Sequence, residues 1–571
     1  MAGSGPGREM QMLSVCLIFL YVLLGTYLVG FAVLSGIRRI YGSFMVKADG
    51  YVMAGLVTVT VYAQFFSLFH KVGLAANLLL VMVCVIIAVV SRRRLKEEIL
   101  RQYGALGRGR RIFYLLLFLL MAYGTSRGII HYDTGLYHAQ SIRWIEEYGV
   151  VKGLGNLHCR LAYNSSSFAL SALYGFGFLG GRSFHCMAGF FALVLAKVCS
   201  EISGAWGRRK LLLPDFARIM GIYYLLMIFD EMVSPASDYF MVLTVFYMVI
   251  RYLDLAVNRE ESWIPYGLLA LLCVFTVSVK LSAALIVLFA AKPAAMLLGN
   301  WVKKKNGKGI AGFLGMGVLI ILPFLLRNVW ISGWLVYPFT ALDVFPVDWK
   351  IPEGIAAYDA KEIQVWGRGI YDVAAYGRPF GEWFPAWFGS QSGVDRLFIL
   401  AGTVALPVAV AGFAVAVRKK NAVQRDVMFA AAAVDVSFLF WLFSAPLIRY
   451  GCVYVWLAAP LTFGGLAFWL AGSGMAGRVF WRFVYAAVFL AGGYKAVMFG
   501  KEVAAGYSPE YFVWQKDYEN FRVQAYDVGG ITFYCPLEGD RVGYEAFPSS
   551  PARADMELRG DGLEDGFRYR Q

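Results

Sequence analysis

Apolar runs of about 18 to 25 residues, parted by short polar breaks, repeat along most of the chain. Each is long enough to cross a bilayer as a helix. The pattern predicts spans near 12–36, 51–70, 73–91, 112–130, 184–204, 219–232, 239–257, 264–279, 281–298, 310–327, 396–416, 427–445, 450–471 and 483–499. The first run is too long for a signal-peptide core and has no clear cleavage site, so it is expected to remain as a helix. The stretch 165–181, "SSSFALSALYGFGFLGG", is apolar but short and glycine-rich. It is expected to dip into the outer leaflet without crossing. Between spans, 134–148 sets Leu136, Ala139, Ile142, Ile145 and Tyr148 on one helical face and Gln140, Arg143, Glu146 and Glu147 on the other. That is the pattern of an amphipathic helix lying at an interface.

The expected fold is an all-α polytopic membrane protein of about 13–14 transmembrane helices, with interfacial helices in its outer loops. Residues 1–111 form N-terminal membrane helices, and 112–499 a transmembrane core with large loops at 131–183 and 328–395. Residues 500–571 form a small extracytoplasmic tail, in which "GGITFYCPLEGDRVGYEAFP" reads as a hairpin-like pair of short strands. Loop 328–395, with "WISGWLVYPFTALDVFPVDWKIP" and "GEWFPAWFGS", has the aromatic and proline content of helices at headgroup level.

Composition sharpens this picture. Hydrophobic residues make up 59% of the 571 and charged ones only 16%, too few for the surface of a soluble protein of this size. The net charge of +15 sits in short loops: 92–111, "GRRK" at 207–210, "KKKNGK" at 303–308 and "RKKNAVQR" at 418–425. Basic loops stay on the cytoplasmic side, which places loops 131–183, 233–238, 328–395, 446–449 and the tail outside. A nucleic-acid partner is excluded, because no basic face on a soluble domain is present. The eight cysteines are scattered without CxxC pairs and read as small apolar residues.

Polar chemistry gathers in the outer loops. "IIHYDTGLYHAQSIRWIEEYGVVKGLGNLHCRLAYNSSSF" (129–168) holds three of the five histidines together with Asp133. Asp133 either caps the helix that follows or presents a carboxylate for proton abstraction. Asp238, in "DEMVSPASDYF", is the second such carboxylate, with Ser237 or Asp238 as the alternative helix cap; Asp230 and Glu231 lie close by. Lys280, in "TVSVKLSAA", either snorkels outward or faces a polar cavity. Arg327, in "LPFLLRNVWISGW", and Arg449, in "FSAPLIRYG", suit phosphate recognition or interfacial anchoring. His131, His138 and His158 match no zinc spacing. No Walker loop, GxSxG or placed GxGxxG occurs, so any donor is expected to arrive through the membrane.

The loop "HYDTGLYHAQSIRWIEE", with "SPASDYF", "TVSVKLSAA", "LLRNVWISGWLVYP" and "FSAPLIRYG", resembles the arrangement of GT-C integral-membrane glycosyltransferases. From about residue 50 onward, "YDTGLYH", "WIEEYGVVKGLGNLH", "RLAYNSSSF", "DWKIP" and "LRGDGLEDGFR" resemble an uncharacterised family of bacterial multi-spanning membrane proteins. The chain departs from the typical GT-C member in placing three spans before the one that leads to Asp133, and in having a lone aspartate instead of an acidic pair.

The resemblance implies transfer of a sugar from a polyprenyl-phosphate-linked donor to a glycan, lipid or protein acceptor. The place would be the periplasmic face of the bacterial inner membrane, with inversion at the anomeric carbon. Asp133 and Asp238 become the catalytic carboxylates, and Arg449, Lys280 and Arg327 the donor-phosphate site. His138, Glu146, Asn156, His158, Arg160 and Asn164 become acceptor or loop-support residues. No cofactor is required; Mg²⁺ or Mn²⁺ at Asp133 and Asp238 is left open. Membrane lipids are the further expected partners. The alternatives are a flippase or transporter of lipid-linked saccharides and an envelope glycan polymerase of another fold. The absence of an obvious internal repeat weighs against the transporter.

Overall fold

A computed structural model describes residues 11–179, 183–208, 211–304, 308–470, 475–508 and 515–570. Parts of two orienting loops, 209–210 and 305–307, lie outside the described residues, as does the end of the dipping segment at 180–181. All fourteen predicted spans fall on helices. By length and composition, eight helices among the described residues can cross a membrane, or up to ten if two bent pairs each count as one span.

Four predicted spans fall short of that test. Met187–Cys199, Leu213–Met227 and Trp263–Val279 hold 13, 15 and 17 residues. At 1.5 Å per residue these reach about 20 to 26 Å, below the ~30 Å hydrocarbon core. Arg108–Ser126 opens on the charged "RGRR". The bent pairs are Leu74–Val90 with the basic Arg92–Gly104, at 87°, and Gly393–Thr403 with Ala405–Arg418, at 45°. The span predicted at 281–298 begins as a ten-residue 3-10 stretch, Leu281–Ala290, and continues as Ala291–Lys304. So long a 3-10 run is uncommon.

Ser237–Val257 is the centre of the bundle, with 83% of its apolar window buried, whereas Gly477–Ala505 has none buried and lies at the periphery. Around the central helix pack Met187–Cys199, Leu213–Met227, Trp263–Val279, Ala422–Ser444 and Ile448–Leu470. Gln11–Tyr41 runs along Ala48–Ser67 at a glycine crossing. A Cβ on Gly30 would stand 1.8 Å from the Tyr51 carbonyl oxygen, and one on Gly55 1.8 Å from that of Thr26. Only glycine permits that approach.

The tail folds onto loop 131–183. It contains two antiparallel pairs, Val523–Val528 with Ile531–Pro536 and Met556–Leu558 with Phe567–Tyr569. The first strand of the hairpin thus lies upstream of the stretch read as both strands. Val542 and Gly543 donate backbone bonds to the Gly135 carbonyl, and Phe567 donates to that of Lys152. Trp144 packs on Phe547 and Phe567. The 134–148 segment is therefore covered on both faces: the Gln140 side chain donates to the carbonyls of Gly543 and Ala546, and Arg143 to those of Tyr544 and Glu545. It is a π-turn, Thr134–His138, followed by the α-helix Ala139–Glu147.

Candidate functional site

The backbone leaving Arg108–Ser126 is fastened to the 230–234 turn. Gly128 has φ +97°, and a Cβ there would fall 1.8 Å from the Asp230 carbonyl oxygen; a left-handed position in such contact admits glycine alone. Ile129 N–H donates to that same oxygen at 2.6 Å, His131 N–H donates to Ser234 Oγ at 2.7 Å, and Arg127 pairs with Asp230 at 3.0 Å. This seam carries His131 and Asp133 to the N-terminal end of Ser237–Val257.

Four distant segments then meet. The Asp133 carboxylate pairs with Arg449 at 2.7 Å, and a second guanidinium nitrogen of Arg449 lies 2.7 Å from His131 Nε2. Asp238, buried in the first turn of Ser237–Val257, pairs with the Lys280 ammonium. Lys280 is the extended residue that ends Trp263–Val279, and its ammonium stands 4.1 Å from the centre of the Tyr450 ring. A carboxylate at a helix N-terminus and a cation at a C-terminus also suit the helix dipoles. The turn presenting Arg449 is held by two indoles, Trp387 donating to the Pro446 carbonyl and Trp441 to that of Leu447. Glu231 accepts the Tyr239 hydroxyl beside this cluster.

Neither carboxylate caps a helix. Asp133 is itself helical in backbone and makes no cap bond, and the cap position before Ser237–Val257 is Ala236, also without a side-chain bond. The simple capping alternative is therefore corrected at both sites. Lys280 faces the cluster instead of standing free in a loop. Burial, then Arg449, pushes the His131 imidazole below its ordinary value, opposed by Asp133, Asp238 and Glu231. The shift favours the neutral imidazole next to a permanent cation. His138 lies deeper, and burial holds it well below the usual range; its Nδ1 is 3.2 Å from Thr134 Oγ1, while Nε2 has no partner.

The other predicted residues lie elsewhere. Arg327 bonds Asn164 at 3.1 Å and Ser67 at 2.5 Å, and shares no bond or ion pair with the Asp133 cluster. Glu146 accepts from His185 at 3.0 Å and from the Tyr544 hydroxyl at 2.7 Å, which joins loop to tail. Asn156 donates to the Trp349 carbonyl, and His158 Nδ1 accepts the Arg160 N–H. Arg160 pairs with Glu362 at 3.5 Å and stacks over Trp366. Among the described residues, no group of three or more His, Cys, Asp or Glu side chains is gathered as metal ligands. Asp133 and Asp238 each already face an organic cation, a donor set that does not fit a divalent ion.

The family comparison covers this whole cluster. The chain belongs to the family described as "Domain of unknown function (DUF8201)". The family's model matches residues 12–456, which include His131, Asp133, Asp238, Lys280 and Arg449. No curated protein and no solved structure matches the chain.

Sequence reasoning passed over several polar groups in this DUF8201 chain. His131, weighed from the sequence only as a zinc ligand, and Tyr450 complete the cluster. Asp359 is buried where loops 131–183 and 328–395 meet, accepting the hydroxyls of Tyr163 at 2.6 Å and Tyr337 at 2.9 Å, and burial raises its pKa. At the opposite end of Ser237–Val257 a second charge network joins Asp49, Lys197, Glu201, Arg218, Arg251 and Asp254. Asp238 and Arg251 are thirteen residues apart on that helix, or about 20 Å. Polarity is therefore not confined to one surface. The signal was present in "ADGYVM" and "VIRYLDL", where charges interrupt apolar runs.

Proposed function

We propose that the chain is a GT-C-like, inverting glycosyltransferase. It takes a sugar from a polyprenyl-phosphate-linked donor and passes it to an envelope glycan, lipid or protein at the periplasmic face of the bacterial inner membrane. The proposed topology is the full set of 13–14 crossings, the short helices included. The observation that carries this reading is the meeting of Asp133, Asp238, Lys280 and Arg449 from four separate segments.

In this mechanism the donor phosphate engages Arg449 and Lys280, whose charges stabilise the departing phosphate. Engagement of phosphate by Arg449 releases Asp133 from its ion pair. The acceptor hydroxyl oxygen attacks the anomeric carbon as the bond from that carbon to the phosphate oxygen breaks. The hydroxyl proton passes to the Asp133 carboxylate, and the phosphate leaves as an anion, so no general acid is needed. Asp238 keeps Lys280 in place. No step is routed through a metal.

The test compares envelope glycan composition in cells carrying wild type, Asp133→Asn or a deletion, with membrane abundance measured in the same samples. Loss of a sugar in the deletion that an abundant Asp133→Asn variant fails to restore is the expected result. Full restoration by Asp133→Asn overturns the catalytic assignment.

One observation favours the second reading, a transporter of lipid-linked saccharides. Asp435 sits midway along Ala422–Ser444 at 0% exposure, bound by the Thr462 hydroxyl at 2.9 Å with its other oxygen unpartnered. Intramembrane carboxylates of this kind serve proton or ion relays. If Asp435→Asn abolishes the glycan while Asp133→Asn does not, transport replaces transfer as the function.

A further inference from the structure

The helix that follows Asp133 closes a small cavity against Lys308–Ser332. Its walls include Ser141, Trp144, Tyr163, Asn164, Phe168 and Arg327. The space matches about one water-sized group. Its polar lining is dominated by donors. Ser141 Oγ and Trp144 Nε1 are buried with no hydrogen-bond partner. Arg327 is 2% exposed, and only two of its five N–H groups have acceptors, both neutral. Those acceptors are themselves committed: the Asn164 amide donates to the Phe324 carbonyl, and Ser67 Oγ donates to the Gln64 carbonyl. No carboxylate pairs with Arg327 among the described residues, unlike Arg449, Lys280 and Arg160.

A buried guanidinium without a counter-charge is costly, and so is each buried donor without an acceptor. One negative charge placed among these groups would answer all three. We propose that this cavity is a binding site for a small monovalent anion of chloride size, held by the Arg327 guanidinium with the Trp144 indole N–H and the Ser141 hydroxyl as further donors. A space of about one water suits a monatomic anion better than a phosphate or sugar phosphate. This site is therefore separate from the Arg449–Lys280 pair, and it stands whether or not the chain transfers sugars. Its physical effect is to tie Ala139–Glu147, and with it the loop bearing Asp133, to Lys308–Ser332.

The experiment uses the purified full chain in detergent or lipid discs, exhaustively exchanged into gluconate. The thermal unfolding midpoint is followed as chloride replaces gluconate at constant ionic strength. A site that binds only the folded form adds a factor of about 11 to the folded-to-unfolded ratio at ten times its half-saturating concentration. The expected result is a midpoint that stays level at low chloride or bromide and then climbs with the logarithm of concentration above half-saturation, with no rise in phosphate. Ser141→Ala is expected to need roughly 3- to 10-fold more chloride for half-saturation through loss of one hydrogen bond. Arg327→Gln is expected to abolish the response; should that variant fail to fold, Ser141→Ala and Trp144→Phe carry the test. A midpoint identical in chloride and gluconate overturns the proposal. So does a chloride response that Ser141→Ala and Trp144→Phe leave unchanged, and a response to phosphate equal to that of chloride overturns the size assignment.

Discussion

Replacing Arg251 by Met removes the cation at the centre of the second charge network while keeping an unbranched side chain. Arg251 donates to Asp49 at 3.0 and 2.7 Å, to Glu201 at 2.9 Å from two nitrogens, and to Asp254 at 2.9 Å. Breaking a buried pair by deleting one partner costs about 3–5 kcal/mol, chiefly because a charge is left without compensation. Here compensation is partial. Asp49 keeps Lys197 and the Tyr247 hydroxyl, Glu201 keeps Lys47, Lys197 and Arg218, and Asp254 keeps Arg218. The loss is therefore expected at the lower bound, about 3 kcal/mol. Lys47, whose side chain is 58% exposed against 10% for Arg251, also pairs with Glu201. Lys47→Ala is expected to cost no more than about 1 kcal/mol. Adding Asp49→Asn to Arg251→Met removes the most deeply buried of the stranded charges, and is expected to recover about 1 kcal/mol or more through coupling between touching groups. Denaturant unfolding of the protein in lipid discs, read by tryptophan fluorescence, measures all four proteins. If Arg251→Met costs no more than Lys47→Ala, or if the double variant is less stable than the single one, the network is not an electrostatic clamp.

Gly128→Ala is expected to abolish activity without altering any charged side chain. The methyl group must displace the Asp230 carbonyl, and with it the seam that delivers His131 and Asp133; restoration of the envelope glycan at normal protein abundance would refute this. His158 is pushed down to about 4, first by burial and then by Arg160, from an ordinary 6.5. Between those values the unfolded chain holds more protons than the folded one, so stability falls as pH drops from about 6.5 to about 4. His158→Gln is expected to flatten that part of a stability-against-pH curve. Glu146→Gln removes the charge that accepts from His185, Ser183 and Tyr544. Losing charge-assisted bonds at one seam costs about 1.5–3 kcal/mol. Limited trypsin digestion is expected to cut the tail near Arg541 or Arg553 sooner than in wild type.

Length and apolarity made the helices legible: all fourteen apolar runs fall on helices, and up to ten of them are long and apolar enough to cross a bilayer. Periodicity also found the buried face of 134–148, but it misjudged the other face. A polar face reads the same whether it meets water, headgroups or a folded tail. Gln140 and Arg143 are satisfied by backbone carbonyls some 400 residues away, and no local pattern announces such partners.

The candidate site divides along the same line. Asp133, Asp238, Lys280 and Arg449 were legible because each stands just beyond an apolar run, at an end that the basic loops assign to one side. Ends on one side of a bundle can converge, and these four do. Arg327 satisfied the same rule yet stands apart, because proximity to a membrane face fixes height along the bundle and says nothing about position around it. What sets that second coordinate is helix packing: Arg327 projects toward Ser67 and Asn164, whereas Arg449 projects toward His131 and Asp133. The two arginines therefore call for separate tests. A phosphate-bearing donor should depend on Arg449, and stability in chloride on Arg327. Should Arg327→Gln change donor use while leaving chloride dependence intact, Arg327 would belong to the donor site and the anion proposal would fail.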